Sequence, residues 1–263
     1  MRNTRHSIRK WTLGFLLAAA VLAAFYLGTL FYPTPLFAHA DRIGRYRLYS
    51  DEPIPAGMPG VIEDLERRVA GMEHAASGEG HRVYLCSSPR RYALFAFLTR
   101  RSAGSLAIGL ALFDETFVSM ARLRRFAEAN QGVLRHTRFE GDLAEVVAHE
   151  IAHSNSLRAL GLRRHRALPL WKSEGWAEYQ ANLAAIRADP AYDLHARIDQ
   201  LLDDGFWAGI PAAARRMWEE QLLVEFLGEV KGYRLADLAR DDVTDAAARH
   251  EMLAWHRVIV GRT

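Results

Sequence analysis

The chain has 263 residues, half of them apolar and a quarter charged, which is enough for one sizeable domain with appendages. Its formal charge is +3, but Arg2, Arg5, Arg9 and Lys10 place +4 in the first ten residues, leaving −1 for the remainder. That balance, with no basic stripe interleaved with aromatics, argues against a nucleic-acid-binding protein. The single cysteine, Cys86, excludes an intrachain disulfide and a cysteine-based metal cluster, so a metal site has to use His and carboxylates.

In chain order, residues 1–10 form a basic tail. Trp11 to Tyr32 follows without a charged residue, and Pro33 and Pro35 close it. About 20 apolar residues span a bilayer as a helix. The basic flank predicts a cytoplasmic N-terminus, with everything after Pro33 on the far side, periplasmic or extracellular. Ala38-His39-Ala40 has the small-x-small form of a cleavage site, so a removed signal sequence is the rival reading. The apolar run exceeds an ordinary signal core and favours a retained anchor.

Residues 33–44 read as a linker and 45–263 as the folded domain. Arg45 to Ser50 alternates like a strand, and the proline- and glycine-rich stretch 51–60 reads as loop. Helical spacing covers Val61 to Ala76, ended by Gly78 to Gly80. Arg82 to Cys86 is a second strand, with Cys86 expected as a buried small hydrophobe. Ser88-Pro89 opens a helix over Arg90 to Thr99. Leu106 to Leu112 and Thr116 to Met120 read as strands separated by Asp114-Glu115, and Arg122 to Arg138 as a basic connection. Beyond Glu140 the pattern is helical throughout. The expected helices are Asp142-capped to Leu160 and ended by Gly161, then Trp171 to Arg187, Tyr192 to Leu202, Pro211 to Phe226, Leu235 to Ala239 and Thr244 to Val258. Strands and helices first, helices only afterwards, predict an α+β domain.

The chemistry concentrates between Asp142 and Tyr179. His149-Glu150-Ile151-Ala152-His153 is an H-E-x-x-H sequence on a helical pattern. The two histidines lie one turn apart on one face, so both reach a single metal ion, and Glu150 can act on a water held there. A catalytic zinc usually takes three protein ligands and keeps one position open. Glu174 and Glu178, again one turn apart, sit on the next expected helix and can fold back toward the histidines. Trp171 and Trp176 on that helix are expected in the core. The cluster Arg163, Arg164, His165 and Arg166 reads as a solvated loop, with a place beside the cleft or against anionic lipid headgroups as the alternative. His250 and His256 are spaced six apart, on different helix faces, and do not make a second metal pair.

HEIAH followed by W-x-x-E-G-x-A-E-Y, here Trp171 to Tyr179, resembles the gluzincin zinc metallopeptidases. The resemblance covers mainly residues 142–180. It implies a zincin-like domain with one zinc ion, His149, His153 and Glu174 as ligands, Glu150 as general base, and Glu178 as a carboxylate that orients a ligand histidine. It further implies hydrolysis of a peptide or protein substrate, with an endopeptidase expected because the glycine-rich exopeptidase segment is missing before HEIAH. Such enzymes use a Tyr or His at the oxyanion. Trp218 stands where that tyrosine is expected, which leaves Tyr233, Tyr192, His195, His250 and His256 as candidates. An edge strand binds substrate by main-chain hydrogen bonds, and Thr116 to Met120 is the expected one. Two other readings stay open: an inactive, zinc-stabilised binding module at the membrane, and a hydrolase of a non-peptide amide.

Overall fold

The computed structural model describes residues 2–75, 80–126, 128, 142–210 and 212–260. Helix α1, Arg2–Phe31, contains Gly14–Phe31, a stretch of mean hydropathy 2.1 that is long and apolar enough to cross a membrane. Phe15, Leu22 and Phe25 are exposed along it. Its last turns touch the body: Tyr26 Oη donates to the Leu98 carbonyl (2.7 Å), Leu30 packs on an aromatic cluster, and Phe31 meets Phe113 edge-on at 4.9 Å.

The body is α+β, with a mixed five-stranded sheet. Its strands are β1 (His39–Ile43), β2 (Tyr46–Ser50), β3 (Arg82–Cys86), β4 (Ala107–Leu110) and β5 (Glu115–Ser119), in spatial order β1-β2-β3-β5-β4. The three central strands are parallel and each outer strand pairs antiparallel. Helix α2 (Met58–Ala70) links β2 to β3, and α3 (Pro89–Thr99) follows β3. Alternation sorts the central strands onto two faces. Leu48, Val83, Leu85 and Val118 face α2 and the HEIAH helix. Tyr84, Cys86 and Phe117 face α3 and build a stack in which Tyr84, Phe117 and Phe95 follow one another at 4.6 and 4.1 Å.

Two expectations are corrected here. Residues 33–44 are not a linker: Phe37 is buried, and His39–Ile43 forms β1, paired from His39↔Ser50 to Ile43↔Tyr46. As an outer strand carrying Asp41 and Arg42 it lacks an apolar face, which hid it from pattern reading. Helix α2 begins at Met58, inside the expected loop, because Pro59 occupies the first helical turn, where a missing N–H costs nothing. It ends at Ala70; residues 76–79, where its end was expected, lie outside the described residues, as do 127 and 129–141 of the basic connection.

The second half is helical: α4 (Leu143–Ala167), α5 (Leu170–Ala188), α6 (Leu194–Leu202), α7 (Ala212–Glu229), α8 (Leu235–Leu238) and α9 (Asp245–Val260). α4 does not end at Gly161. It kinks there, with Gly161 at φ +74, and makes a further turn through Ala167. Only glycine takes that backbone without strain. α5 is sandwiched between α4 and α7, and a second core of Trp171, Trp176, Leu222, Phe226 and Met252 knits α5 to the later helices.

Candidate metal centre

Asp142 opens α4 by accepting a hydrogen bond from the Glu145 amide at 2.7 Å. Val147, Ala148, Ile151 and Ala152 bury the face of the helix turned to the sheet, which turns His149, Glu150 and His153 toward the cleft beside β4. The kink at Gly161 and the Leu168-Pro169 step reverse the chain, so α5 returns beside α4 with Glu174 opposite the histidines. Gly175 is required for that return. A β-carbon there would overlap the Glu220 carbonyl of α7, so the glycine after Glu174 lets two helix backbones touch.

His149 Nε2 and His153 Nε2 are 3.0 Å apart, and Glu174 Oε2 lies 3.4 and 3.7 Å from them. All three atoms fall within 4.8 Å of one another. Metal–ligand bonds of about 2.0 Å at tetrahedral angles separate ligand atoms by about 3.3 Å, so the donor set fits a zinc-sized cation. Behind the ligands, Glu178 Oε1 approaches His149 Nδ1 at 3.1 Å, an ion-pair distance with the N–H off the ideal line. Ser173 Oγ stands 3.5 Å from His153 Nδ1. Each histidine thus turns Nε2 to the common point and has a polar group at its other nitrogen.

The electrostatics favour a cation at that point. Burial pushes the His149 pKa down, but the charge of Glu178 and the pairing with Glu174 outweigh it and hold it well above its usual value. Burial would raise Glu174, yet hydrogen bonds from His149 and His153 keep its carboxyl well below the usual range. Deeper still, Glu145 is buried and its pKa is pushed up to about 8, first by burial and then by Glu178. Around it, Arg68 reaches the Ala181 carbonyl (3.2 Å) and Asn182 (3.3 Å) and pairs with Asp64 and Asp142.

The cluster opens into a cleft of about 680 Å³. Glu150 projects into it against β4, so closely that a β-carbon on Gly109 would overlap its Oε2. Among the described residues β4 is, like β1, an outer strand of the sheet, whereas β5 is paired on both sides. The expectation that Thr116 to Met120 offers an edge is therefore corrected: the outer strand beside Glu150 is Ala107–Leu110.

None of the five expected oxyanion candidates lines the cleft. Tyr192 and Tyr233 pack on the second core, and His250 is exposed on α9. His195 stacks on Trp255 at 3.9 Å and meets His256 at 2.9 Å, and His256 in turn pairs with Asp199 at 2.9 Å. Trp218 sits under the Arg197 guanidinium at 4.4 Å. The cleft instead holds His165, whose ring lies edge-on to His153 at 6.4 Å, together with Arg101 and Arg166. Burial, then the neighbouring His153, lowers the His165 pKa from its usual value. The loop expected around His165 is the last turn of α4, beyond the kink at Gly161, and that glycine is the one sequence signal of the bend. No known family model matches the chain, and no curated protein shows significant similarity to it.

Proposed function

We propose that the chain is a zinc-dependent peptide hydrolase with a zincin-like domain, held by α1 on the far side of a membrane from its basic N-terminus. The observation that carries the reading is the convergence of His149 Nε2, His153 Nε2 and Glu174 Oε2 in an open cleft, with Glu150 between them and an outer strand. Zinc bound there supplies a Lewis acid and lowers the pKa of water into the neutral range. The rest of the chemistry belongs to side chains. Substrate backbone adds to β4 in extended form, with its scissile carbonyl directed toward the ligand cluster. Glu150 accepts a proton from the attacking water as oxygen bonds to the carbonyl carbon. It returns that proton to the nitrogen as the C–N bond breaks. His165, which lines the cleft near His153, is the side chain proposed to donate to the oxyanion.

The test uses the full chain in detergent: zinc per chain is counted, and an unbiased peptide mixture is digested by wild type and Glu150→Gln. We expect about one zinc in both proteins and turnover lower by about 10²–10⁴-fold in the variant, the usual worth of a general base. Identical digests would overturn the hydrolase. The displacement of all five expected oxyanion residues from the cleft favours one second reading, a zinc-stabilised binding module. In that case chelation lowers the melting temperature while Glu150→Gln leaves peptide binding intact.

A further inference from the structure

We propose that the mouth of the cleft is a docking surface that rests on the anionic headgroups of the bilayer crossed by α1. The inference rests on the reading of α1 as an anchor and is independent of catalysis. Its first support is where α1 meets the body. Tyr26 lies five positions before Phe31, about 7.5 Å deeper along a helix axis, yet its hydroxyl reaches the Leu98 carbonyl at the end of α3. Phe31, at the end of the apolar span, touches Phe113, and Phe113 lines the cleft. The helix therefore leaves the bilayer at the rim, with α3 at headgroup level.

The rim at that level has the composition of an interfacial surface. Leu112 (62% exposed) and Leu170 (61%) stand open at the cleft with Leu162 and Phe113, and Phe97 (79%) is exposed on α3 next to Leu98, which Tyr26 reaches. Exposed large apolar groups on a globular surface mark a contact, and here the neighbouring element is the anchor itself. Between them are Arg100, Arg101, Arg163, Arg164 and Arg166, all exposed and none in an ion pair among the described residues. The two segments that build the rim, 89–113 and 151–173, contain no Asp or Glu, against four arginines in the first and five basic residues in the second. Apolar side chains for the acyl boundary, interleaved with arginines for phosphate, is the arrangement of a surface that lies on an anionic membrane. The substrate that reaches such a cleft is a peptide segment close to the same bilayer.

The experiment reconstitutes full-length protein in vesicles of phosphatidylcholine, with or without a quarter phosphatidylglycerol, doped with a headgroup-proximal nitroxide lipid. Cys86 is buried, and burial pushes its thiol up to about 12, so an introduced cysteine takes the fluorophore selectively. Leu112→Cys and Leu170→Cys report on the rim, and Ala247→Cys reports on the helical half. We expect quenching at the rim at least about threefold above the Ala247 site, rising with phosphatidylglycerol. It should fall on replacing Arg101, Arg163, Arg164 and Arg166 by Gln, since each cation near an anionic surface is worth about fivefold in partition. Equal quenching at rim and helical half overturns the docking, and quenching indifferent to lipid charge overturns the anionic partner. Glu150→Gln carrying the same labels should quench like wild type, so a failed hydrolase and a failed docking surface are separately visible.

Discussion

The two walls of the cleft are built differently. The α4–α5 wall is packed on both sides, by the sheet and α2 in one direction and by α7 in the other, and its polar groups are held by buried partners such as Glu178 and Glu145. The β4 wall is a four-residue strand paired, among the described residues, with β5 alone, and a turn follows it. A metal site tolerates little error in ligand position, and the candidate ligands here stand on helices packed on both sides. The proposed substrate edge needs unpaired N–H and C=O groups, which an outer strand of the sheet can offer. On the proposed function, position in the cleft and packing divide the labour: one wall would fix the cation and the other would receive the chain.

That division can be broken in a definite order. The largest effect in the β4 wall is expected from Gly109→Ala, whose methyl displaces the Glu150 carboxylate. Peptide turnover should fall by up to about a hundredfold, as for a misplaced catalytic group, with zinc content unchanged. Loss of zinc in that variant would show that the walls are not independent. In the helical wall, Glu178→Gln should weaken zinc binding by about 10–100-fold, read by competition with a chelator, because His149 loses the charge behind it. Unchanged affinity would remove Glu178 from the site.

The smallest effect concerns Glu145 and depends on pH. Its folded-state pKa of about 8 lies above the ordinary 4.5, so the folded protein holds a proton that the unfolded chain releases. Its contribution is favourable below pH 4.5 and is lost as pH rises toward 8. Glu145→Gln removes that titration. Its melting temperature should match wild type near pH 5 and exceed it by at least about 2 °C at pH 8.5. Parallel curves over that range would mean that Glu145 is ionised in the fold.

What was legible in the sequence follows the range of the interactions. His149, Glu150, His153, Glu174 and Glu178 were readable because one-turn spacing on a helix is a local property. Their convergence needed only a reversal, which Gly161 and Pro169 supply. The buried positions of Trp171, Trp176 and Cys86 were readable from local pattern too. The order of strands was not. β4 and β5 look alike as apolar runs, and which one is the edge depends on β5 pairing with β3, a contact over some thirty residues. The oxyanion candidates failed for a related reason. Tyr192, Tyr233, His195 and His256 belong to a separate helical core whose distance from the cleft is set by tertiary packing. His165 escaped because a basic cluster after a glycine resembles a loop as much as a helical turn.

Strand β1 has a bearing on processing. Ala38-His39-Ala40 has the form of a cleavage site, yet His39 and Ala40 are the first two rungs of the β1–β2 ladder, and Phe37 just before them is packed against Tyr84 and Phe95. A chain trimmed after Ala40 would enter folding without those rungs and with an empty slot in the aromatic stack, a loss of about 3–5 kcal/mol by the measure of a deleted core phenylalanine. The contacts of Tyr26, Leu30 and Phe31 would go with it. The residues around that sequence are thus the ones that complete the domain, and the fold is most stable with α1 still attached.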